Sequence, residues 1–179
     1  MNIEGSICRL RALEPSDLEA MYGWENDVEL WRTSGATAPF SHHQLSSLII
    51  EQQYDIYATR QQRLVIDAQI DGTQVAVGAI DLLDFEPKNR RAGVGIIISS
   101  GYRRRGYAAD ALRSIERYAR EVLMLHQLWC SVAEDNQASL ALFDGAGYER
   151  CGIRRDWIIT QQEALSEILF QKILYFITV

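Results

Sequence analysis

A basic turn wedged between an apolar run and a helical pattern constrains this chain more than any other stretch: Arg103-Arg104-Arg105-Gly106-Tyr107-Ala108. Ile96-Ile97-Ile98-Ser99 precedes it closely, and a helical pattern starts at once after it. The order is buried strand, turn with one glycine, helix. The first turn of a helix carries N–H groups with no intrahelical partner. They point outward at the positive end of the helix dipole, so an anion fits there. Gly106 and Ala108 leave room for phosphate oxygens to approach the main chain, and the arginines add charge around the rim. The layout is that of a diphosphate receptor.

The helix is well specified. Ala108, Ala111, Leu112, Ile115, Ala119 and Val122 fall at spacings 0, 3, 4, 7, 11 and 14, one face of an α-helix. Arg113, Glu116, Arg117 and Arg120 lie off that stripe. Three arginines in a row would on their own read as a solvated loop. The strand before them, the helix after them and the small residues among them point instead to ligand binding.

With 179 residues, 47% of them hydrophobic, the sequence suits one domain over residues 1–179 with a substantial core. The formal net charge of -6 speaks against general nucleic-acid binding and favours a cationic small-molecule partner. Cys8, Cys130 and Cys151 are odd in number and match no zinc spacing, so they read as reduced, mostly buried thiols in a cytoplasmic protein, with no metal expected. His42 and His43 open a helix, and His126 sits in a helix-to-strand turn; all three read as structural or solvent-facing. Met1-Asn2-Ile3-Glu4 is no signal peptide, and no apolar stretch reaches the ~20 residues that span a bilayer. No membrane role is expected.

Along the chain, a strand is predicted over 7–13. A helix follows to about Asn26, with Ser16 and Glu19 as a capping box. Residues 31–40 read as a loop, and Ser41 with Gln44 caps a second helix running through Tyr54. Strands over 64–70 and 75–83 flank the Asp71-Gly72 hairpin turn, and 84–91 read as a polar connection. The strand 92–99 feeds the arginine turn. After the long helix come a strand over 128–133, a short helix over 136–146 ended by Gly147, and a hairpin of 148–159 with 165–175. This predicts an α+β fold: a central mixed, mostly antiparallel sheet of about seven strands flanked by about four helices. It is neither a doubly wound dinucleotide fold nor a P-loop.

At this point the chain resembles the GNAT superfamily of acetyl-CoA-dependent N-acetyltransferases. Arg103-x-x-Gly106-x-Ala108 matches that family's pyrophosphate loop. Asn136-x-x-Ser139-x-x-x-Phe143-x-x-x-Gly147-Tyr148 matches its helix after the fifth strand. The 27 residues between Ala108 and Asn136 hold one helix and one strand, which makes the pair of motifs specific. Leu10-Arg11-x-Leu13-Glu14-x-x-Asp17-Leu18 looks like the branch with ribosomal-protein N-terminal and spermidine acetyltransferases, and Arg90-Arg91-Ala92 looks closer to the spermidine enzymes.

The resemblance implies a GNAT-like fold with acetyl-CoA as co-substrate. Gly95, Ile96 and Ile97 would offer strand backbone to the pantetheine arm. Arg103, Arg104, Arg105, Gly106, Tyr107 and Ala108 would hold the diphosphate, and Asn136, Ser139 and Phe143 would border the cofactor. It implies acetyl transfer to a primary amine by direct attack in a ternary complex. A polyamine acceptor leads slightly; a protein N-terminus, or a non-catalytic acyl-CoA-binding module, are the alternatives. A homo-oligomer is compatible with this reading.

The chemistry asks for a proton donor to the departing thiolate and a route for the ammonium proton. The spermidine enzymes place a tyrosine where this chain has Phe143, which cannot donate. Ser139, one helical turn earlier, matches the serine of the ribosomal-protein branch; it is either that donor or an ordinary first-turn polar residue. Asn136 contacts the cofactor or caps the helix. Asp81 and Asp84 follow the strand that borders the acceptor cleft in the family, and either could bind an ammonium or relay its proton. Glu86 reads as a solvated turn residue. Trp31 is either an acceptor wall or a core residue.

Overall fold

The computed structural model describes residues 3–28, 37–160 and 163–174. Trp31 lies outside the described residues, as do Gln161 and Gln162 of the polar tip Gln161-Gln162-Glu163 that the sequence predicts for the last hairpin.

The described strands are β1 (Ile3–Glu4), β2 (Cys8–Ala12), β3 (Gln62–Ile70), β4 (Thr73–Glu86), β5 (Arg91–Ile98), β6 (Gln127–Ala133), β7 (Glu149–Ile159) and β8 (Ala164–Ile173). The helices are α1 (Leu18–Glu25), α2 (His42–Glu51), α3 (Ile56–Thr59), α4 (Tyr107–Glu121) and α5 (Gln137–Gly145). They form one sheet in the order β1-β2-β3-β4-β5-β6-β8-β7. Every described pair is antiparallel except β5 with β6, which α4 connects. The α+β fold, mixed and mostly antiparallel, is as expected, with eight strands and five helices among the described residues against about seven and about four expected. The additions are β1, too short to show alternation, and α3, a single turn. Asp55 opens α3 by accepting the Tyr57 and Ala58 N–H groups, and Arg60 closes it in the left-handed region at φ 62°.

Two layers of packing hold the sheet. On one face, Ala111, Leu112, Ile115 and Ala119 of α4 are fully buried against Leu64, Ile66, Ile80, Leu82 and Leu128, with Phe143 of α5 and Phe170 of β8 in the same core. On the other, Met21, Trp24, Leu45 and Ile49 of α1 and α2 pack on Val65, Ala79 and Ile97. The period-2 alternation of each strand sets which residue serves which layer. The α4 stripe is the one the sequence predicts, except at its end: Val122 is 48% exposed, because the helix stops there.

The first helix opens where expected but is capped differently. Its lead turn begins at Pro15, and the Asp17 carboxylate accepts the Glu14 N–H at 2.8 Å in place of a Ser16–Glu19 box. Arg11 grips that carboxylate at 2.7 and 2.8 Å and reaches Asp67 of β3 at 2.8 Å. Burial alone would raise the Asp17 pKa; the Arg11 guanidinium and the Glu14 N–H override it and hold the carboxyl below its usual range. The second box forms as read: Ser41 Oγ accepts the Gln44 N–H at 3.2 Å, and Gln44 Oε1 accepts the Ser41 N–H at 2.9 Å. Asp71 and Gly72, at φ 49° and 80°, make the β3–β4 turn.

Candidate active site

The site begins with a mismatch in pairing. Strand β5 is laddered to β4 from Arg91 to Ile98. To β6 it is paired only at Arg91–Gly93 opposite Gln127–Trp129. Both strands continue beyond that point, so a gap opens between them. Gly93 sits at its closed end, where an added Cβ would stand 3.1 Å from the Trp129 ring.

The ladder register decides which main-chain groups face the gap. The Ser99 N–H bonds to the Val77 carbonyl of β4 at 2.9 Å. Alternation then turns the amides of Ile97 and Gly95 toward β4, and those of Val94, Ile96 and Ile98 toward the gap. The Ile98 carbonyl, on the gap side, accepts Arg103 Nε at 3.0 Å. Of the three β5 residues singled out from sequence, Ile96 thus offers its main chain to the gap. Gly95 and Ile97 line the space as side chain and surface.

The turn after β5 is bent by two left-handed residues, Arg104 at φ 60° and Gly106 at φ 88°. Gly106 is the N-cap of α4, and a Cβ there would meet strain from the backbone itself. The N–H groups of Tyr107, Ala108 and Ala109 have no partner among the described residues. The one acid of that first turn, Asp110, is 1% exposed and faces away from them. Its carboxylate accepts the N–H groups of Ser6, Ile7 and Cys8 at 3.1, 2.8 and 3.1 Å, and Arg113 at 2.9 Å. Burial would raise its pKa, but these bonds bring it down to about 2. The helix start therefore stays open to an anion.

A cavity of about 1000 Å³ runs from this turn along Ile96–Ile98 to the start of α5, lined also by Arg103, Arg104, Tyr107 and Ala108. The arginines differ in placement. Arg104 faces the cavity; Arg103 is drawn over the end of β5, with Asp27 at 3.7 Å; Arg105 is exposed and stacks on Tyr102 at 5.6 Å, outside the lining. A second cavity of about 410 Å³ fills the gap on the α1–α2 side. Ile96, Ile97, Asn136 and Ser139 line both.

Asn136 caps α5, its Oδ1 accepting the Ser139 N–H at 3.1 Å. The Ser139 hydroxyl makes no hydrogen bond among the described residues, and it stands where the cavities meet. Phe143 is buried edge-on to Tyr148, centroids 5.0 Å apart, and borders the second cavity. Burial pushes the Tyr148 phenol far up, and Tyr148 lines neither cavity.

Asp81 faces the second cavity, but Arg63 spans both its oxygens at 2.8 and 3.0 Å and also bonds Glu25. Burial opposes the charge on Arg63, yet the two carboxylates raise its pKa further. Asp84 lies in a bulge of β4 at φ 47°, exposed and outside both linings. Glu86 pairs with Arg91 at 2.6 Å on the surface. The structure thus brings together Ser139, Asn136, Phe143, Asp81 and the β5 edge, and leaves Asp84 and Arg105 apart from them.

Sequence reasoning missed Glu25, Arg63, Trp129 and Glu167, all of which line the second cavity. A signal existed for two of them. Arg63 shares a face with core residue Val65, and Glu167 interrupts the apolar run Ile168-Leu169-Phe170 at its start. Among the described residues no group of His, Cys, Asp and Glu could hold a metal, and no helix is long and apolar enough to cross a membrane. Cys8 and Cys130 are buried; burial first, then Asp110 for Cys8 and Cys151 for Cys130, push their thiols up to about 12. Cys151 is exposed, so two of the three thiols are buried.

Residues 8–149 match the family model described as acetyltransferase (GNAT) domain. The chain belongs to the GNAT acetyltransferase family. It is 26% identical over 140 residues to the spermidine N(1)-acetyltransferase of Escherichia coli K12, covering 78% of this chain and 72% of that protein. Its fold superposes with a TM-score of 0.80 on the spermidine N-acetyltransferase of Vibrio cholerae solved with CoA and spermine, at 20% identity over 92% of this chain and 94% of that one. A dodecameric structure of the Vibrio cholerae enzyme gives a TM-score of 0.76 at 21% identity, covering 92% of each chain. These relatives lie in the spermidine branch that the residues near Arg90 resemble. The chain is thus an acyltransferase of GNAT type, with the fold of the spermidine enzymes.

Proposed function

We propose that this chain transfers acetyl from acetyl-CoA to a primary amine by direct attack in a ternary complex, with a polyamine as the favoured acceptor. One observation carries the reading. Two cavities meet at Ile96 and Ser139; one ends on an anion-ready helix start, and the other is lined by carboxylates. A donor in the first and an amine in the second would meet there.

The residues present fit acetyl-CoA. The open N–H groups of Tyr107, Ala108 and Ala109, with Arg104, suit its diphosphate, and the gap-facing edge of β5 suits its amide-bearing arm. When bound, acetyl-CoA supplies an acetyl group activated as a thioester. The Ile96 N–H is the donor placed to hold the carbonyl oxygen as it gains negative charge, a contribution of about 3 kcal/mol. The Ser139 hydroxyl, uncommitted at the junction, serves as proton donor to the sulfur in place of the tyrosine that Phe143 replaces. Asp81, held by Arg63, contributes negative field that draws an ammonium; the ammonium gives its proton to water before the free amine attacks, and the proton the nitrogen sheds on forming the amide replaces the one Ser139 gives to sulfur. Asp84 would act only on an acceptor that reaches the rim of β4.

The cation preference is supported by the lining, in which the carboxylates Glu25, Asp81 and Glu167 outnumber the guanidiniums Arg63 and Arg154 that pair with them. It is also supported by the relatives named for spermidine. A homo-oligomer belongs to the same reading, supported by the dodecameric neighbour.

The test is an amine panel incubated with acetyl-CoA, read by free-thiol release and by product mass. Mono-acetylated spermidine or spermine is the expected product. Acetylation of peptide N-termini in its place would move the acceptor to proteins. Tight acetyl-CoA binding with no thiol release from any amine would leave a binding module, the reading that Phe143 in place of tyrosine favours.

A further inference from the structure

We propose that Glu167, on β8, is the residue that fixes the acceptor's ammonium group. The inference rests on the amine-acetylating reading above and adds a specificity-determining contact to it.

The acceptor cavity has two walls, one on each side of the gap. On the β4–β5 side stand Asp81 and Glu25, and both are already engaged. Arg63 takes both oxygens of Asp81 and donates its remaining terminal nitrogen to Glu25. A carboxylate whose charge a bidentate guanidinium already balances attracts a second cation less than one held at a single oxygen. On the β6–β8 side stands Glu167. Register places it opposite Ala133 of β6, on the face it shares with Leu169 and Gln171, opposite Ser131 and Trp129. None of these β6 and β8 residues belongs to either core cluster.

Glu167 is committed at one oxygen only. Oε2 accepts Arg154 Nη1 from β7 at 2.9 Å, and Oε1 accepts no hydrogen bond among the described residues. The side chain keeps 14% of its surface, while Arg154 keeps 40%. The carboxylate therefore sits in a partly dehydrated cavity with one acceptor site to spare. Its neighbours in the lining are Trp129, Phe143 and Ile158, apolar surface suited to a methylene chain. An ammonium held at Oε1 would lie in the same cavity as the Ser139 hydroxyl, where the cavities join. Placement of the nucleophile, rather than proton abstraction, is the role this geometry gives Glu167.

Calorimetry of spermidine binding to the CoA-loaded chain, with steady-state kinetics alongside, tests the assignment. Glu167→Gln is expected to weaken spermidine binding and raise its KM by about 10- to 100-fold, the range for a hydrogen bond to a charged group. CoA affinity is expected to stay unchanged, which also reports that the variant is folded. Glu167→Asp is expected to recover part of the loss. Arg154→Ala removes the ion pair and keeps the carboxylate, so it is expected to stay within about twofold of wild type. If Arg154→Ala and Glu167→Gln behave alike, the role of Glu167 is structural and the proposal fails. If wild type binds spermidine and Glu167→Gln binds it equally well, the proposal fails while amine acetylation stands. If the panel turns over another amine in place of spermidine, that amine replaces it as the probe in the same set of variants. If wild type neither binds nor acetylates any amine, both readings fall together.

Discussion

The two edges of β5 share eight residues and have opposite fates. Toward β4 the ladder runs from Arg91 to Ile98. Toward β6 it ends after three pairs. The first edge spends its amides on the sheet; the second runs on past its last partner with those of Ile96 and Ile98 off the ladder. The same contrast recurs at the start of α4. There Asp110 is saturated by the β1–β2 segment, and the three N–H groups beside it have no partner among the described residues. Stability and binding are thus separated by a single turn of main chain, and substitutions on either side should affect one property and spare the other.

The largest expected effect lies on the closed side. Asp110→Ala takes the acceptor from three N–H groups, that of Cys8 buried and those of Ser6 and Ile7 nearer the surface, and a loss of about 2–4 kcal/mol in denaturant unfolding is expected. The acid limb sharpens this. The Asp110 carboxyl lies at about 2 in the folded chain and at an ordinary value near 3.8 when unfolded. Its contribution of about 2 kcal/mol is therefore present above pH ~4 and lost as pH falls toward 2. A wild-type stability curve between pH 2 and 5 should be steeper than that of Asp110→Ala.

On the open side, Gly106→Val forces a β-branched residue to φ 88° and places carbon beside the anion site. Acetyl-CoA affinity is expected to fall about 30-fold by calorimetry, with a smaller loss in melting temperature. Ser139→Ala should lower kcat about tenfold, leaving KM for acetyl-CoA near wild type, when chemistry is rate-limiting. The smallest effect is expected from Arg105→Ala, under about twofold in acetyl-CoA KM, because Arg105 points away from the cavity. A larger change at Arg105 than at Arg104 would break the comparison, since the exposed side of the turn would then be the binding side.

Much of the closed side was legible in the sequence. The α4 stripe, the Ser41–Gln44 box and the Asp71-Gly72 turn depend on neighbours within a few positions, where spacing and backbone preference decide. The open side was legible only as far as local signals reach. Arg103-x-x-Gly106-x-Ala108 announced a glycine turn into a helix start, but not that Arg103 folds back to the Ile98 carbonyl. The neutralisation of Asp81 was hidden because Arg63 lies 18 residues away and Glu25 a further 38 from Arg63. The gap itself is a difference in strand pairing, which no window of sequence contains. Glu167 belongs to the site only because β8 returns beside β6.

Asp110 carries one more consequence. It is kept off the helix-start amides because Ser6, Ile7 and Cys8 hold it. Shorten the chain from its amino end past Cys8, and a buried carboxylate loses three donors within one turn of the start of α4. Its negative charge, no longer balanced by them, would then set the field at that helix start, so the amino-terminal segment tunes the electrostatics of a turn it never lines.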